Sequence, residues 1–237
     1  MGISYNTSIV RDGLVLHLDA ANTKSYTGSG TVWKDLSGNG NDGTLINGVG
    51  YSTDNNGSLV FDGVNDYSFH SLSPIVGNSA FSITGFFYRT GSTLGRATWG
   101  IGGNSTLRGI NSYSVTGSNL LSIDLWGSTT IQSNESYDLN QWIFAAWVYR
   151  GSTFSRNNIS IYKNESEYTG SALTVSRGSE TSVPNINSTG IVIARAGTID
   201  SGYSAPVLIS SICFYNRHLS AMQISQNFNA LRGRYGI

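Results

Sequence analysis

Carboxylates are the first residues to test for chemistry, because hydrolysis of a glycosidic bond needs two of them about 5–10 Å apart, one with a raised pKa. The glutamates are Glu135, Glu165, Glu167 and Glu180. Glu165 and Glu167 alternate, as two residues on one strand face do, but they sit in the corner KNESEY (163–168), where solvated turn residues are expected. No G-x-S-x-G elbow, H-E-x-x-H or P-loop spacing occurs. His17, His70 and His218 are dispersed, so they compose no zinc set, and His17 reads as a packed or hydrogen-bonded residue. Cys213 is alone within the apolar run Val207–Tyr215, which excludes an intrachain disulfide and predicts an inert buried thiol. The residues predict no enzyme.

Binding chemistry is better represented. Sugar rings present C–H faces that stack on exposed aromatics, and a few polar groups orient them. Trp33 lies beside a turn cluster, and Trp142 and Trp147 belong to WIFAAWVY (142–149), so these three read as core. Trp99 and Trp126 differ, since each precedes a glycine in a region of short strands and corners. Two readings stay open for both: packing between sheets, or a platform for a sugar. In the second reading Tyr113, Asp124 and Arg108 are the nearest aromatic and polar candidates.

The elements that position these residues are strands. Leu14, Leu16 and Leu18 alternate with Val15 and His17, and FSITGFFYRT (81–90) carries Phe81, Ile83 and Phe87 on one face with Phe86 and Tyr88 on the other. Runs at 97–101, 110–115, 120–126, 128–132, 159–163, 168–175, 191–195 and 207–215 are separated by glycine- and asparagine-rich turns. Regular short strands of this kind predict an all-β fold, a two-sheet antiparallel jelly-roll sandwich. Gly85 marks a bulge or a close neighbour. One helix is predicted over about 220–231, with Ser220 and Gln223 as a capping box, Ile224, Phe228 and Leu231 as its apolar face, and Gly233 to end it. The reading is an N-terminal arm at 1–12, one domain at 13–233 and a tail at 234–237.

The stretch from Trp33 to Tyr67 packs two turn clusters around short apolar runs. Asp35, Ser37, Gly38, Asn41, Gly43 and Thr44, followed by Phe61, Asp62, Gly63, Asp66 and Tyr67, resemble the laminin-G-like jelly rolls of the concanavalin A-like lectin/glucanase superfamily. GLVLHLDAAN (13–22) and YNRHLSAMQISQNFNALRG (215–233) extend that resemblance, which is weakest between about Thr90 and Tyr137. The glucanase branch carries E-x-D-x-x-E on a strand, which is missing here. Several such jelly rolls hold Ca²⁺ through loop oxygens, so the resemblance implies Asp19, Asp35, Asp42 and Asp62 as calcium candidates. The alternative is that each carboxylate caps its own turn. The wording of the motif looks most like domains of tailed-bacteriophage structural proteins. That implies a virion decoration, fibre or tail component assembled in the host cytoplasm and displayed on the particle, with glycan adhesion as its task. A free carbohydrate-binding module or lectin is the alternative, and a glycoside hydrolase fits less well.

Composition sets the outer bounds. Formal net charge is zero and charged residues make up 12% of the chain, so neither a nucleic-acid footprint nor a polyanion-steering surface is expected. No apolar run approaches the roughly eighteen residues of a membrane span, and MGISYNTSIV lacks the features of a signal peptide. A surface poor in charge and an arm before the first strand predict a homo-oligomer or a virion partner, with Ile3, Tyr5 and Ile9 at the contact.

Overall fold

A computed structural model of the chain describes residues 8–71, 73–91, 96–113, 119–197 and 203–237. In chain order its strands are β1 (Leu14–Asp19), β2 (Val32–Trp33), β3 (Gly43–Ile46), β4 (Gly50–Ser52), β5 (Ser58–Asp62), β6 (Tyr67–His70), β7 (Phe81–Arg89) and β8 (Ala97–Gly102). They continue as β9 (Gly109–Tyr113), β10 (Leu120–Leu125), β11 (Thr129–Ser136), β12 (Trp142–Tyr149), β13 (Ile159–Lys163), β14 (Ser166–Thr169), β15 (Leu173–Arg177), β16 (Ile191–Ile193) and β17 (Pro206–Tyr215). An eight-stranded sheet runs β14-β13-β12-β7-β17-β5-β4, with β1 also paired to β17. A nine-stranded sheet runs β15-β11-β10-β9-β8-β16-β6-β3-β2. This is the expected antiparallel jelly-roll sandwich, closed by a single short helix near the C-terminus.

Alternation along the strands builds the core. Phe81, Ile83 and Phe87 of β7, Trp147 of β12 and Phe214 of β17 meet Trp99, Ile110, Ile123 and Ile131 of the other sheet. A Cβ at Gly85 would stand 2.7 Å from the Phe87 ring and 2.9 Å from the carbonyl of Ser211, so glycine is there for close approach. It pairs with Ile212, just past the slip in β17 register between Ile209 and Ser211.

The outer face of the eight-stranded sheet is apolar too, so it needs a second cover. Phe86, Phe144, Cys213 and Tyr215 are buried there with Ile224 and Phe228 of helix α1 (Ala221–Leu231). The capping box forms: Ser220 Oγ accepts from the Gln223 N–H at 3.3 Å, and Gln223 Oε1 accepts from the Ser220 N–H at 3.1 Å. Phe228 packs on Phe144 with ring centroids 5.5 Å apart.

The helix ends at Leu231, ahead of Gly233, and runs into a 3-10 turn at Arg232–Arg234, while Tyr235 of the expected tail is buried. Arg234 Nη1 lies 2.9 Å from both carboxylate oxygens of Asp19, and Tyr235 stacks on Phe86 at 4.3 Å. At the other end, Ile9 was expected at a partner contact, but its side chain is buried in the chain's own outer apolar layer. The Val10 N–H donates to Asn227 Oδ1 at 2.8 Å, and Tyr215 donates to the Val10 carbonyl at 3.1 Å. Ile3 and Tyr5 lie outside the described residues. The run 168–175, expected as one strand, is two: a turn at Gly170–Ala172, with Gly170 at φ +54°, carries the chain from β14 in one sheet to β15 in the other.

Phe228→Ala should lower unfolding free energy by about 3–5 kcal/mol and Ser220→Ala by about 0.5–2 kcal/mol, read from urea denaturation. A second expectation concerns pH. His70 is fully enclosed, and its Nδ1 lies 2.9 Å from the Asn41 carbonyl while Nε2 lies 3.1 Å from Ser68 Oγ. The carbonyl can only accept, so Nδ1 carries the proton and Ser68 donates to Nε2. Burial brings the pKa of His70, and likewise of His17, down to about 4. An unfolded histidine takes up its proton near pH 6.5 and these do not until about 4, so their stability is intact above 6.5 and is lost as pH falls between those values. The loss is of order 3 kcal/mol for each ring. His70→Gln should therefore show a smaller fall in stability than the parent between pH 7 and pH 4.5.

Candidate functional site

With one sheet's outer face closed by the helix, the outer face of the nine-stranded sheet is where the polar chemistry collects. Leu121, Ile123 and Leu125 of β10 point into the core, so Asp124 points away from it. Register continues this row: Gly100 pairs with Asn111, Asn111 with Asp124, Asp124 with Thr130, and Thr130 with Arg177. Asp124 is only 3% exposed despite facing outward. Its Oδ1 accepts from Arg177 Nη2 at 2.6 Å and from Thr130 Oγ1 at 2.5 Å, and Arg177 Nε donates to the same Thr130 hydroxyl at 3.2 Å. Burial pushes the Asp124 carboxyl above its ordinary pKa, while Thr130, Arg177 and the Asn111 side chain pull it back.

Aromatic residues stand around this pair. Tyr113, Asp124, Trp126, Gly127, Arg177 and Tyr203 line an open cavity of about 180 Å³. The Tyr203 ring meets Tyr113 edge to face at 5.5 Å and Trp126 edge to face at 6.0 Å. Trp126 is held past the end of β10 by its N–H on the Gly109 carbonyl, and it accepts from the Leu107 N–H in turn. The chain then reverses at Gly127, whose φ of +70° suits glycine. Ser204 bridges to Ala97, which itself pairs with Tyr113, so the sheet sets Tyr203 across a small residue from Tyr113. Burial also raises the Tyr113 hydroxyl's pKa, with Tyr203 and Asp124 adding to it.

The structure thus brings Trp126, Tyr113 and Asp124 to one cavity and leaves the other two candidates out. Trp99 is 0% exposed between the sheets, edge to face with Trp147 at 5.3 Å, because it shares the parity of the core residue Ile101. It is core, and the expectation of a sugar platform there is corrected. Arg108 is exposed in the turn after Ser105 and is not among the lining residues. Arg177 and Tyr203 were missed. Arg177 follows an unforeseen change of sheet, and Tyr203 comes from a loop distant in sequence.

The calcium candidates do not fit a metal, which would need about 6–8 converging oxygens. Asp35 accepts backbone N–H bonds from His17, Ser37 and Asn41 at 2.8–3.0 Å and a bond from the Ser37 hydroxyl at 2.7 Å. Burial alone would raise its pKa, but these bonds hold it below the ordinary carboxylate range. Asp42 accepts from the Asp35 N–H, Asp62 from the N–H groups of Val64, Asn65 and Asp66, and Asp19 is paired with Arg234. Among the described residues no group of three metal-binding side chains forms. Each carboxylate caps its own neighbourhood.

No protein-family profile matches the chain, and no curated protein matches it in sequence. Solved structures do. A Trypanosoma rangeli sialidase in complex with sialic acid superimposes with a TM-score of 0.59 at 16% identity, over 94% of this chain and 33% of that one. Domain 4 of AbnA, a GH43 extracellular arabinanase from Geobacillus stearothermophilus, in complex with arabinotriose, gives 0.65 at 16% identity, over 90% of this chain and 97% of that one. A receptor-binding domain gives 0.63 at 18%, over 97% and 53%. The chain spans about a third of the length of the sialidase chains it matches. At these identities the likeness carries the fold alone, a two-sheet antiparallel sandwich. The expectation of a virion display protein is overturned by it, since the sialidase and arabinanase matches are to parts of carbohydrate-processing proteins. Nothing in the likeness carries the phage-specific resemblance. Among the described residues no helix is long and apolar enough to cross a membrane.

Trp99→Ala should cost about 3–5 kcal/mol in urea denaturation. Trp126→Ala, at a part-buried position, should cost less than Trp99→Ala in the same assay.

Proposed function

We propose that this chain is a carbohydrate-binding module without hydrolytic activity, and that its ligand is a glycan held at the cavity of Tyr113, Asp124, Trp126, Arg177 and Tyr203. The observation that carries this reading is the composition of that cavity: aromatic walls beside a buried carboxylate paired to an exposed guanidinium on the open face of the sheet. Aromatic walls supply stacking, and fixed polar groups orient hydroxyls. The fold shared with a domain in complex with arabinotriose supports the same reading. Among the described residues Asp124 is the sole carboxylate lining the cavity, and the two-carboxylate arrangement of glycoside hydrolysis is not built from them.

A glycan array probed with the purified chain tests the proposal. Binding to a defined set of glycans is expected, with loss of about tenfold or more in affinity for Trp126→Ala, a stacking contribution of about 1.4 kcal/mol. No sugars should be released from a bound glycan on prolonged incubation. Absence of binding across a broad array would overturn the assignment, and released product would overturn its non-catalytic half.

A further inference from the structure

We infer that the ligand of this cavity is an acidic glycan, its sugar ring against Trp126 and the neighbouring tyrosines and its carboxylate on the free end of the Arg177 guanidinium. The inference rests on the carbohydrate-binding reading of the same site and narrows it to a ligand class.

The two partners of the Asp124–Arg177 pair meet the cavity unequally. The Asp124 side chain is 4% exposed and the Arg177 side chain 48%, so the charge a ligand reaches is the cation. A guanidinium carries five N–H bonds in a rigid fork geometry. Nε and the adjacent Nη2 form the fork along its side, and the protein fills that one. Nε donates to Thr130 Oγ1 at 3.2 Å and Nη2 to Asp124 Oδ1 at 2.6 Å. Nη1 and the second Nη2 hydrogen form the fork at its end, and no described residue takes it.

Filling the side fork prepares the end fork. Asp124 on β10 and Thr130 on β11 fix the guanidinium plane before a ligand arrives. Two parallel donors match the two oxygens of a carboxylate, and such charge-assisted bonds are roughly twice as strong as neutral ones. A sugar hydroxyl would use the donors less fully and would find the Asp124 oxygens out of reach. Asp124 does not cancel the attraction, because it lies against the other fork and its charge is shared with the Thr130 and Asn111 side chains. An exposed arginine alone holds a carboxylate weakly. The half-buried rings of Tyr113, Trp126 and Tyr203 at the same opening supply the remaining contact, and they select an acid carried on a sugar.

Isothermal titration calorimetry on the whole chain, with matched pairs of probes, tests this. The pairs are methyl glucuronide with methyl glucoside, methyl galacturonide with methyl galactoside, and sialyllactose with lactose. In at least one pair the acid should bind tighter by about tenfold or more, and its advantage should shrink as salt is raised, because the cation is half exposed. Arg177→Lys keeps a cation beside Asp124 but has no fork, so the advantage should fall to within about threefold. Trp126→Ala should weaken both members of the pair by similar factors, since the ring contact is common to them. Equal affinities in every pair, or preference for the neutral member, would overturn the inference while leaving sugar binding in place. An advantage that persists in Arg177→Lys, in protein shown folded by circular dichroism, would take the carboxylate away from the fork. Acid binding untouched by Trp126→Ala would separate carboxylate from ring and defeat the single-site arrangement. Failure of every sugar to bind would instead remove the carbohydrate-binding assignment itself.

Discussion

A sheet whose central strands are apolar on both faces has to be covered twice, and the rest of this molecule follows from that requirement. β12 reads WIFAAWVY and is buried along its whole length. One face meets the nine-stranded sheet, and the other would meet water if nothing else packed there. Helix α1, the residues around Val10 and the aromatic Tyr235 supply the second cover. The segment around Val10 and the C-terminal residues are therefore structural parts, tied down through Asn227 and the Arg234–Asp19 pair. The outer face of the nine-stranded sheet is where polar side chains collect beside a cavity. There Asn111, Asp124 and Thr130 alternate with the core residues Ile110, Ile123 and Ile131.

The same parity rule separates what the sequence made legible from what it did not. Trp99 and Trp126 look alike as residues, each before a glycine in a short strand region. Counting from their neighbours distinguishes them: Trp99 shares a face with Ile101, and Trp126 shares one with Asp124 and Ser122. Alternation also recovered the central strands, because each is long enough for several in–out repeats. It failed at 168–175, where apolar residues stand on both sides of a turn that moves the chain between sheets, Tyr168 on one parity and Leu173 and Val175 on the other. Arg177 lies just past that crossing, so its pairing with Thr130 had no local signal. Tyr203 had none either, since a loop aromatic is brought to Tyr113 only by the Ser204–Ala97 bridge. Arg108, near Trp99 in sequence, illustrates the opposite error of reading proximity along the chain as proximity in space.

The turn carboxylates show why a resemblance in motif does not transfer a metal. A loop of tight turns leaves many backbone N–H groups without carbonyl partners, and an unpaired buried donor is costly. Asp35 and Asp62 satisfy several such donors each, and the bonds favour the charged form of both. A cation would compete for oxygens already serving the backbone, and the freed N–H groups would then have to find water. The D-x-S-G and F-D-G wording is thus explained by the turns it builds.

Asp124 uses the same chemistry in a different setting. Its acceptors face a guanidinium, a hydroxyl and an amide, all from side chains on neighbouring strands, so the carboxylate is held by the sheet's register and not by a turn. Burial makes that charge expensive to leave unpaired, which fixes Arg177 over it and gives the cavity a rigid polar floor. Aromatic walls anchored at β9, β10 and the segment before β17 then enclose space above a floor that carries almost no net charge. Arg177 spends only Nε and one Nη2 hydrogen on Thr130 and Asp124, so its exposed side chain still has N–H donors to offer a ligand above that floor.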